Sequence, residues 1–346
     1  MKNKAVFVST RKDDVINNVY GKNEEVMQKL TSELEFPAAV VNLDNIEQFK
    51  DYTNECKYVF TTWGMLELSE EDIAKYFSKC EVVFYGAGSV QYFAREYLNR
   101  GIKVTSAWVA NGVPVSEYAV SQILLSCKGY FRAVIDKIKC REDWGSMGKT
   151  IQSGYKGNYN TKIGILGAGT IGRRVISNLQ KLDIKTEIFV YDPYFSEKDA
   201  ANMNVKKASL EDIFKMCDVI SNHIANLPTT QGMLNKSHFS LMKDYATFIN
   251  TGRGQQIIES EMAEVLRNNQ TLTALLDVTS PEPPTETGEN SELYKLDNVI
   301  LTPHVAGVIS NELQRLSEYM YNEYSLYENE KRLNYEVTLE MLEYMA

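Results

Sequence analysis

The sequence predicts an α/β protein built from two doubly wound parallel sheets. Three observations carry that prediction. Short apolar runs alternate with helix-period segments along the chain, the pattern of parallel β/α units. Each apolar run is short and unalternating, as expected of strands covered on both faces. A glycine signature joining a strand to a helix, Gly167-x-Gly169-x-x-Gly172, lies near the middle of the 346 residues. Another unit must therefore precede it, and the length suits two domains of roughly 100–200 residues each.

The elements follow in order. Residues 5–8, 58–61, 82–85 and 102–104 read as strands, and 24–34, 70–80 and 90–100 as the helices that connect them. A long helical pattern runs from 115 to 138, and an irregular glycine-bearing stretch, 145–160, leads into the signature. Beyond it, 188–191, 219–223, 246–250, 272–278 and 298–301 read as strands. Ser209-x-x-Asp212 has the form of a capped helix start. Pro281, Pro283 and Pro284 stop regular structure after the strand ending near Val278. In 310–327, Leu313, Leu316, Met320 and Tyr327 have helical spacing, and this helix is expected to return to the first domain. Its aromatic residues, with Tyr335 beyond, read as packing. The expected division is 1–114, 115–306 and 307–346.

Composition excludes several classes. Hydrophobic residues make up 44% and charged residues 24%, ordinary for a globular protein. The net charge of −9 argues against nucleic acid and anionic membranes as partners. No apolar run approaches the ~18 residues of a membrane span. The N-terminus reads as a first strand rather than a signal peptide. The five cysteines, Cys56, Cys80, Cys127, Cys140 and Cys217, fit neither a zinc spacing nor a disulfide framework. They are expected to be reduced thiols in a cytoplasmic protein without a metal site.

The signature has the context of a dinucleotide site. Ile163-Gly164-Ile165-Leu166 precedes it as a strand, and Ile171, Val175, Ile176 and Leu179 follow at helical spacing. Asp192 lies twenty residues past Gly172, at the end of another apolar run. Strand, glycine turn, helix, strand and acid make the Rossmann fingerprint. Gly167 permits the turn, Gly169 lets backbone approach a pyrophosphate, and Gly172 lets helix and strand pack closely. The pyrophosphate would meet free N–H groups at a helix N-terminus. Asp192 would hold the adenine ribose hydroxyls and repel a 2′-phosphate, favouring NAD over NADP. The candidate cofactor-binding set is Gly167, Gly169, Thr170, Ile171, Gly172, Asp192, Thr251 and Asp277, with Asp277 a candidate acceptor for the nicotinamide carboxamide.

Ligands of doubly wound sheets sit beyond the carboxyl ends of the strands. There the sequence delivers Arg253, then Glu282, then His304, after three successive strands. A 2-oxo acid accepting a hydride needs a cation for its carboxylate and carbonyl and an acid for the developing alkoxide. Arg253 offers a planar, permanently charged fork. His304 can give or take the proton, and Glu282 would orient it and stabilise its imidazolium form. His223, also at a strand end, is the rival histidine. His238 sits in a short helical stretch and reads as structural.

On these residues the chain resembles the D-isomer-specific 2-hydroxyacid dehydrogenase family. The matching stretches are ILGAGTIG (165–172), VYDP (190–193), NTGRG (250–254), LDVTSPEP (276–283) and LTPHVAG (301–307). The match extends to GAG (86–88), RGIKV (100–104) and NGVPVSEYAV (111–120). The resemblance implies a flavodoxin-like substrate domain beside a Rossmann NAD-binding domain. It implies Arg253 on the substrate, with Glu282 paired to His304 as the acid/base. It also implies a homodimer through the nucleotide domain, with 115–138 as a linking helix. The family's substrate domain presents backbone N–H groups of a glycine loop to the substrate carboxylate. Here that loop is Gly86, Ala87, Gly88 and Ser89, and Trp63 is a candidate opposite wall or a core residue.

Departures bear on the substrate. Many relatives continue the glycine loop with Tyr-Asp or Val-Asp, whereas this chain has Ser89-Val90-Gln91. That puts phosphoglycerate, glyoxylate and pyruvate in doubt as default substrates. Formate dehydrogenases of the family carry Gln at the position of Glu282, which argues against formate. The short segment after the returning helix is expected not to hold the regulatory domain of long phosphoglycerate dehydrogenases. Trp108 and Trp144 are further candidates for shaping the pocket. The expected activity is hydride transfer between NAD and a D-2-hydroxy acid. Two alternatives are an NAD-sensing protein like the C-terminal-binding-protein corepressors and a dehydrogenase of another anion such as phosphite.

Overall fold

The computed structural model describes residues 2–11, 16–136, 141, 143–284 and 289–345. It divides into two compact units, Met1–Gly112 with Val308–Ala346, and Val113–Gly307.

The first unit is a six-stranded sheet. Its strands are β1 (Asn3–Val8), β2 (Leu34–Glu35), β3 (Cys56–Thr61), β4 (Val82–Tyr85) and β5 (Lys103–Ser106). They run parallel in the order β2-β1-β3-β4-β5, the flavodoxin-like order. β3 and β4 are buried at nearly every position, which is why their runs lack alternation. The tail belongs to this unit. Its helix, Leu313–Glu328, buries Leu316, Met320 and Tyr324 in one core with Phe60 and Phe84. Each such side chain contributes roughly 1.5–3 kcal/mol of burial, enough to fix the tail here.

The second unit continues with β6 (Tyr159–Leu166), β7 (Lys185–Tyr191), β8 (Lys206–Lys207), β9 (Val219–Asn222), β10 (Thr247–Asn250), β11 (Thr273–Leu276) and β12 (Val299–Leu301). All pair in parallel, in the order β8-β7-β6-β9-β10-β11-β12. This is the Rossmann order with one strand added at the β12 edge. Neighbouring residues of one strand serve opposite faces: Phe248 packs in one core and Ile249 in the other. A last strand, β13 (Glu336–Val337), closes the first unit's sheet antiparallel to β5.

Several expectations need correction. The helix expected from 115 to 138 begins at Trp108, runs to Cys127, and holds Pro114 within it. It stops because Gly129 takes φ +67°, a left-handed turn that glycine allows. A separate helix, Tyr130–Ile135, follows. Most of the stretch read as irregular is also helical, Trp144–Gly154, with the Asp143 side chain accepting from Ser146 N–H to cap it. Glycines at 145, 148 and 154 hid its periodicity. The short strands β2, β8 and β13 carry too few residues to announce themselves. Ser209 does cap its helix, accepting from Asp212 N–H at 3.1 Å.

Cys56, Cys80, Cys127 and Cys217 are free and buried. Burial pushes the thiols of Cys56, Cys127 and Cys217 up to about 12, which makes them inert. Cys140 lies outside the described residues. Among the described residues no helix is long and apolar enough to cross a membrane. Nor, among them, does any group of three His, Cys, Asp or Glu residues form that could hold a metal ion.

Candidate active site

The glycine turn joins β6 to the helix Thr170–Gln180. Gly167 has φ +88°, and a Cβ there would fall 2.7 Å from His223 O, so only glycine fits. A Cβ on Gly172 would fall 2.0 Å from Gly167 O, which accounts for the third glycine. A Cβ on Gly169 would meet nothing within 4 Å. Gly169 is also the helix N-cap, and no side chain caps the first turn. An open face on an uncapped helix N-terminus is the cradle that a pyrophosphate requires. Asp192 follows β7, and its carboxylate accepts from Ala168 N–H at 2.7 Å and from Tyr194 N–H at 2.8 Å. The acid is therefore fastened to the turn itself. These residues fit a dinucleotide.

Arg253, Glu282 and His304 come together at the carboxyl edge of the second unit's sheet. His304 Nδ1 lies 2.6 Å from Glu282 Oε1, with both side chains partly exposed. A carboxylate only accepts, so Nδ1 carries the proton of that bond and Nε2 is left to exchange one. His304 is held at φ +53°, a strained value for a non-glycine residue. Its N–H bonds to Asp277 O at 3.0 Å and Thr302 O at 2.9 Å, which hold the conformation. Arg253 is partly buried and donates from Nη1 to Gly252 O at 2.7 Å. Burial draws its guanidinium below its usual range, and the neighbouring Glu282 charge supports it. Arginine remains charged under any such shift.

The rival histidine has a different setting. His223 lies 2.9 Å from Ser221 Oγ through Nε2 and 3.3 Å from Thr251 Oγ1 through Nδ1. Burial pushes it down to about 4. It is neutral at physiological pH and engaged at both nitrogens. His238 is buried and accepts from Asn235 N–H, a local cap.

Asp277 organises the loop that carries His304. Its carboxylate accepts from Thr302 Oγ1 at 2.6 Å and from the N–H groups of Val305 and Ala306, both at 2.9 Å. Since Thr302 spends its one hydroxyl proton there, Tyr118 must be the donor in its 2.9 Å bond to Thr302 Oγ1.

Sequence reading missed the layer beneath Arg253. Asn222 Nδ2 donates to Asn250 Oδ1 at 3.0 Å and Gln256 Oε1 at 2.7 Å. Gly252 N–H donates to Asn250 Oδ1 at 3.0 Å, and Arg253 N–H to Gln256 Oε1 at 3.3 Å. These buried amides fix the backbone that aims Arg253. Their only sequence signal is two amide residues, Asn222 and Asn250, each ending a short buried strand.

In the first unit, the loop after β4 has its own geometry. Ser106 Oγ lies 2.8 Å from Ala87 O and 2.7 Å from Gly88 O. In a trans peptide the N–H points opposite the carbonyl, so Gly88 and Ser89 aim their N–H groups away from Ser106. Among the described residues neither N–H has a protein partner. Gln91 is turned to the tail instead, donating to Leu342 O at 2.7 Å and to Met345 O. Trp63 packs on both cores of the unit. Trp108 stacks edge-on against Tyr335.

Comparison with known proteins adds the family. Residues 130–306 match the model of the D-isomer specific 2-hydroxyacid dehydrogenase NAD binding domain. A putative 2-hydroxyacid dehydrogenase of Bacillus subtilis is 36% identical over 155 residues, 44% of this chain and 43% of that relative. The match thus spans less than half of that relative's length. Among solved structures, D-mandelate dehydrogenase of Rhodotorula graminis superposes with a TM-score of 0.78 at 15% identity, covering 97% of this chain and 98% of that one. D-lactate dehydrogenase of Lactobacillus jensenii, solved with NAD+, gives 0.73 at 20% identity, covering 96% and 99%. At such identities the likeness is one of fold.

Proposed function

Because the chain belongs to the D-isomer specific 2-hydroxyacid dehydrogenase family, we propose that it interconverts a D-2-hydroxy acid and its 2-oxo acid. The single observation that carries this reading is the Glu282–His304 pair at 2.6 Å in a setting that also contains the Arg253 cation. Hydride exchange is the chemistry that a bound nicotinamide supplies. The chain's own residues do the rest. Arg253 binds the carboxylate and polarises the carbonyl with a two-pronged fork. Glu282 fixes the His304 tautomer, and Nε2 protonates the oxygen on reduction or removes the hydroxyl proton on oxidation. Within the first unit, the N–H groups of Gly88 and Ser89, without partners among the described residues, support these residues as an anion nest of the kind a carboxylate fits. Thr251 and Asp277 belong with the cofactor side of the site, and one lone-pair direction of Asp277 Oδ2 is left for a carboxamide donor.

The test is NADH oxidation against a panel of 2-oxo acids that includes sugar-derived ones, with phosphite plus NAD as a control. Turnover of at least one 2-oxo acid supports the reading. Turnover of phosphite alone overturns it in favour of another anion, and no turnover with measurable NAD binding favours a regulatory role.

Asp192 is assigned to the adenine ribose. Asp192→Ala is expected to narrow the NADH over NADPH preference in kcat/KM by about 10-fold or more, since a carboxylate at the ribose repels a 2′-phosphate. An unchanged ratio contradicts the assignment.

The second unit also supports a homodimer. Leu125, Tyr130, Val134 and Trp144 are exposed by 39%, 49%, 44% and 81%, and the helix Trp144–Gly154 buries no residue. Exposed apolar residues so close in the chain fit a surface covered by a second copy. Sedimentation at micromolar concentration is expected to give a two-chain mass, and a one-chain mass contradicts it.

A further inference from the structure

Glu259 is a buried carboxyl that the reaction above does not use. It opens the helix Glu259–Asn268 and is 5% exposed. Its Oε1 accepts from Ser280 N–H at 2.9 Å. Its Oε2 is buried without a hydrogen-bond partner among the described residues. Ser280 lies two residues before Glu282. The same segment rests on the backbone of Gly254, where a Cβ would fall 2.0 Å from the carbonyl carbon of Thr279. The segment leading to Glu282 is therefore wedged between Gly254, the residue next to Arg253, and Glu259. A buried polar group with one bond is costly and invites an explanation.

We propose that Glu259 is a positioning residue, one that acts through the Ser280 backbone to hold Glu282 against His304. The proposal rests on the functional reading given above. Its electrostatics agree with this role. Burial pushes the Glu259 carboxyl up to about 8, against the helix N-terminus, which favours a carboxylate. Ser280 N–H is its polar neighbour. The charged groups of the flanking segments have other partners: Arg253 donates to Gly252 O, Glu261 accepts from Lys236 N–H, Glu264 pairs with Lys236, Arg267 with Glu292, and Glu282 with His304. At neutral pH Glu259 thus serves as a neutral acceptor. Above about 8 it becomes a buried anion with a single donor, which the site tolerates poorly.

Oxidation of the hydroxy acid separates this effect from His304. His304 must start neutral in that direction, so its own titration gives only an acid limb. An alkaline fall then reports Glu259. Glu259→Gln keeps the acceptor and cannot ionise. It is expected to hold kcat at pH 7 within about threefold, as a hydrogen-bonding isostere does, and to lose the alkaline fall. Glu259→Ala is expected to lower kcat by about 10²-fold, the cost of a small misplacement in a catalytic constellation, with KM for NAD unchanged. Glu259→Asp, one methylene too short to reach Ser280, stands in if the alanine variant does not fold.

An activity-independent readout accompanies these. The His304 imidazole titration, followed by NMR among only three histidines, is expected to move in Glu259→Ala toward that of Glu282→Ala and to stay parental in Glu259→Gln. If no acid is turned over, the functional reading fails and this titration still decides the positioning. A parental His304 titration in the alanine or aspartate variant overturns the proposal. So do superimposable alkaline limbs for the parent and Glu259→Gln.

Discussion

Replacing His304 with alanine is expected to lower kcat by roughly 10²–10⁴-fold, the contribution of a positioned general acid–base group. NADH binding, followed by fluorescence titration, is expected to stay within about twofold, because the glycine turn that fits the dinucleotide is fixed by other contacts. The geometry accounts for the size of the effect. His304 is the histidine with an exposed ring, a free Nε2 and a carboxylate on Nδ1. His223 cannot replace it, since both its nitrogens are engaged and burial holds it neutral down to about 4. Glu282→Gln should fall between the parent and the alanine variant, because the amide can hold Nδ1–H but no longer stabilises a positive ring. Normal turnover in His304→Ala contradicts the acid/base role.

Arg253→Ala is expected to reduce kcat/KM by about 30- to 5,000-fold, the 2–5 kcal/mol of a lost buried charge contact. Both kcat and KM should worsen, because the carboxylate is bound in the ground state and the carbonyl oxygen gains charge only in the transition state. Arg253→Lys keeps the charge but loses the planar fork and its Nη1 bond to Gly252 O. It is expected to recover only part of the loss. Removal of the amide layer beneath, through Gln256→Leu with Asn222→Leu, leaves the cation in place without its fixed backbone. An unchanged kcat/KM in Arg253→Ala contradicts the substrate clamp.

The fold was legible where side-chain chemistry repeats. Buried parallel strands leave short apolar runs without alternation, and the runs within β3, β4, β9, β10 and β11 are of this kind. The glycine turn was legible because three positions each exclude a side chain or face open space for a separate geometric reason. Two-residue strands such as β2, β8 and β13 leave no period to read. The helix Trp144–Gly154 is hard to read because three glycines interrupt it and none of its residues, Trp144, Met147 and Ile151 included, is buried. The helix Trp108–Cys127 begins and ends earlier than the expected 115–138, because it continues through Pro114 and stops before the left-handed turn at Gly129.

The site was legible in part for the same reason. Arg253, Glu282 and His304 follow strand ends, so strand order alone brings them to one edge. Their supports come from elsewhere in the chain. Tyr118 reaches Thr302 across 184 positions, Asn222 reaches Gln256 across 34, and Glu259 reaches Ser280 across 21. No local pattern reports a contact of that kind. The strain at His304 is likewise invisible in sequence, since it reflects two backbone bonds to Thr302 and Asp277.

The central claim is that this chain moves a hydride to the carbonyl carbon of a 2-oxo acid. It is tested most directly with NADH deuterated at C4, by mass spectrometry and chiral chromatography of the product. The account predicts one deuterium at C2 of a D-configured 2-hydroxy acid, formed by the parent and lost in His304→Ala. An L-configured product, or consumption of NADH with no deuterium at C2, would contradict it.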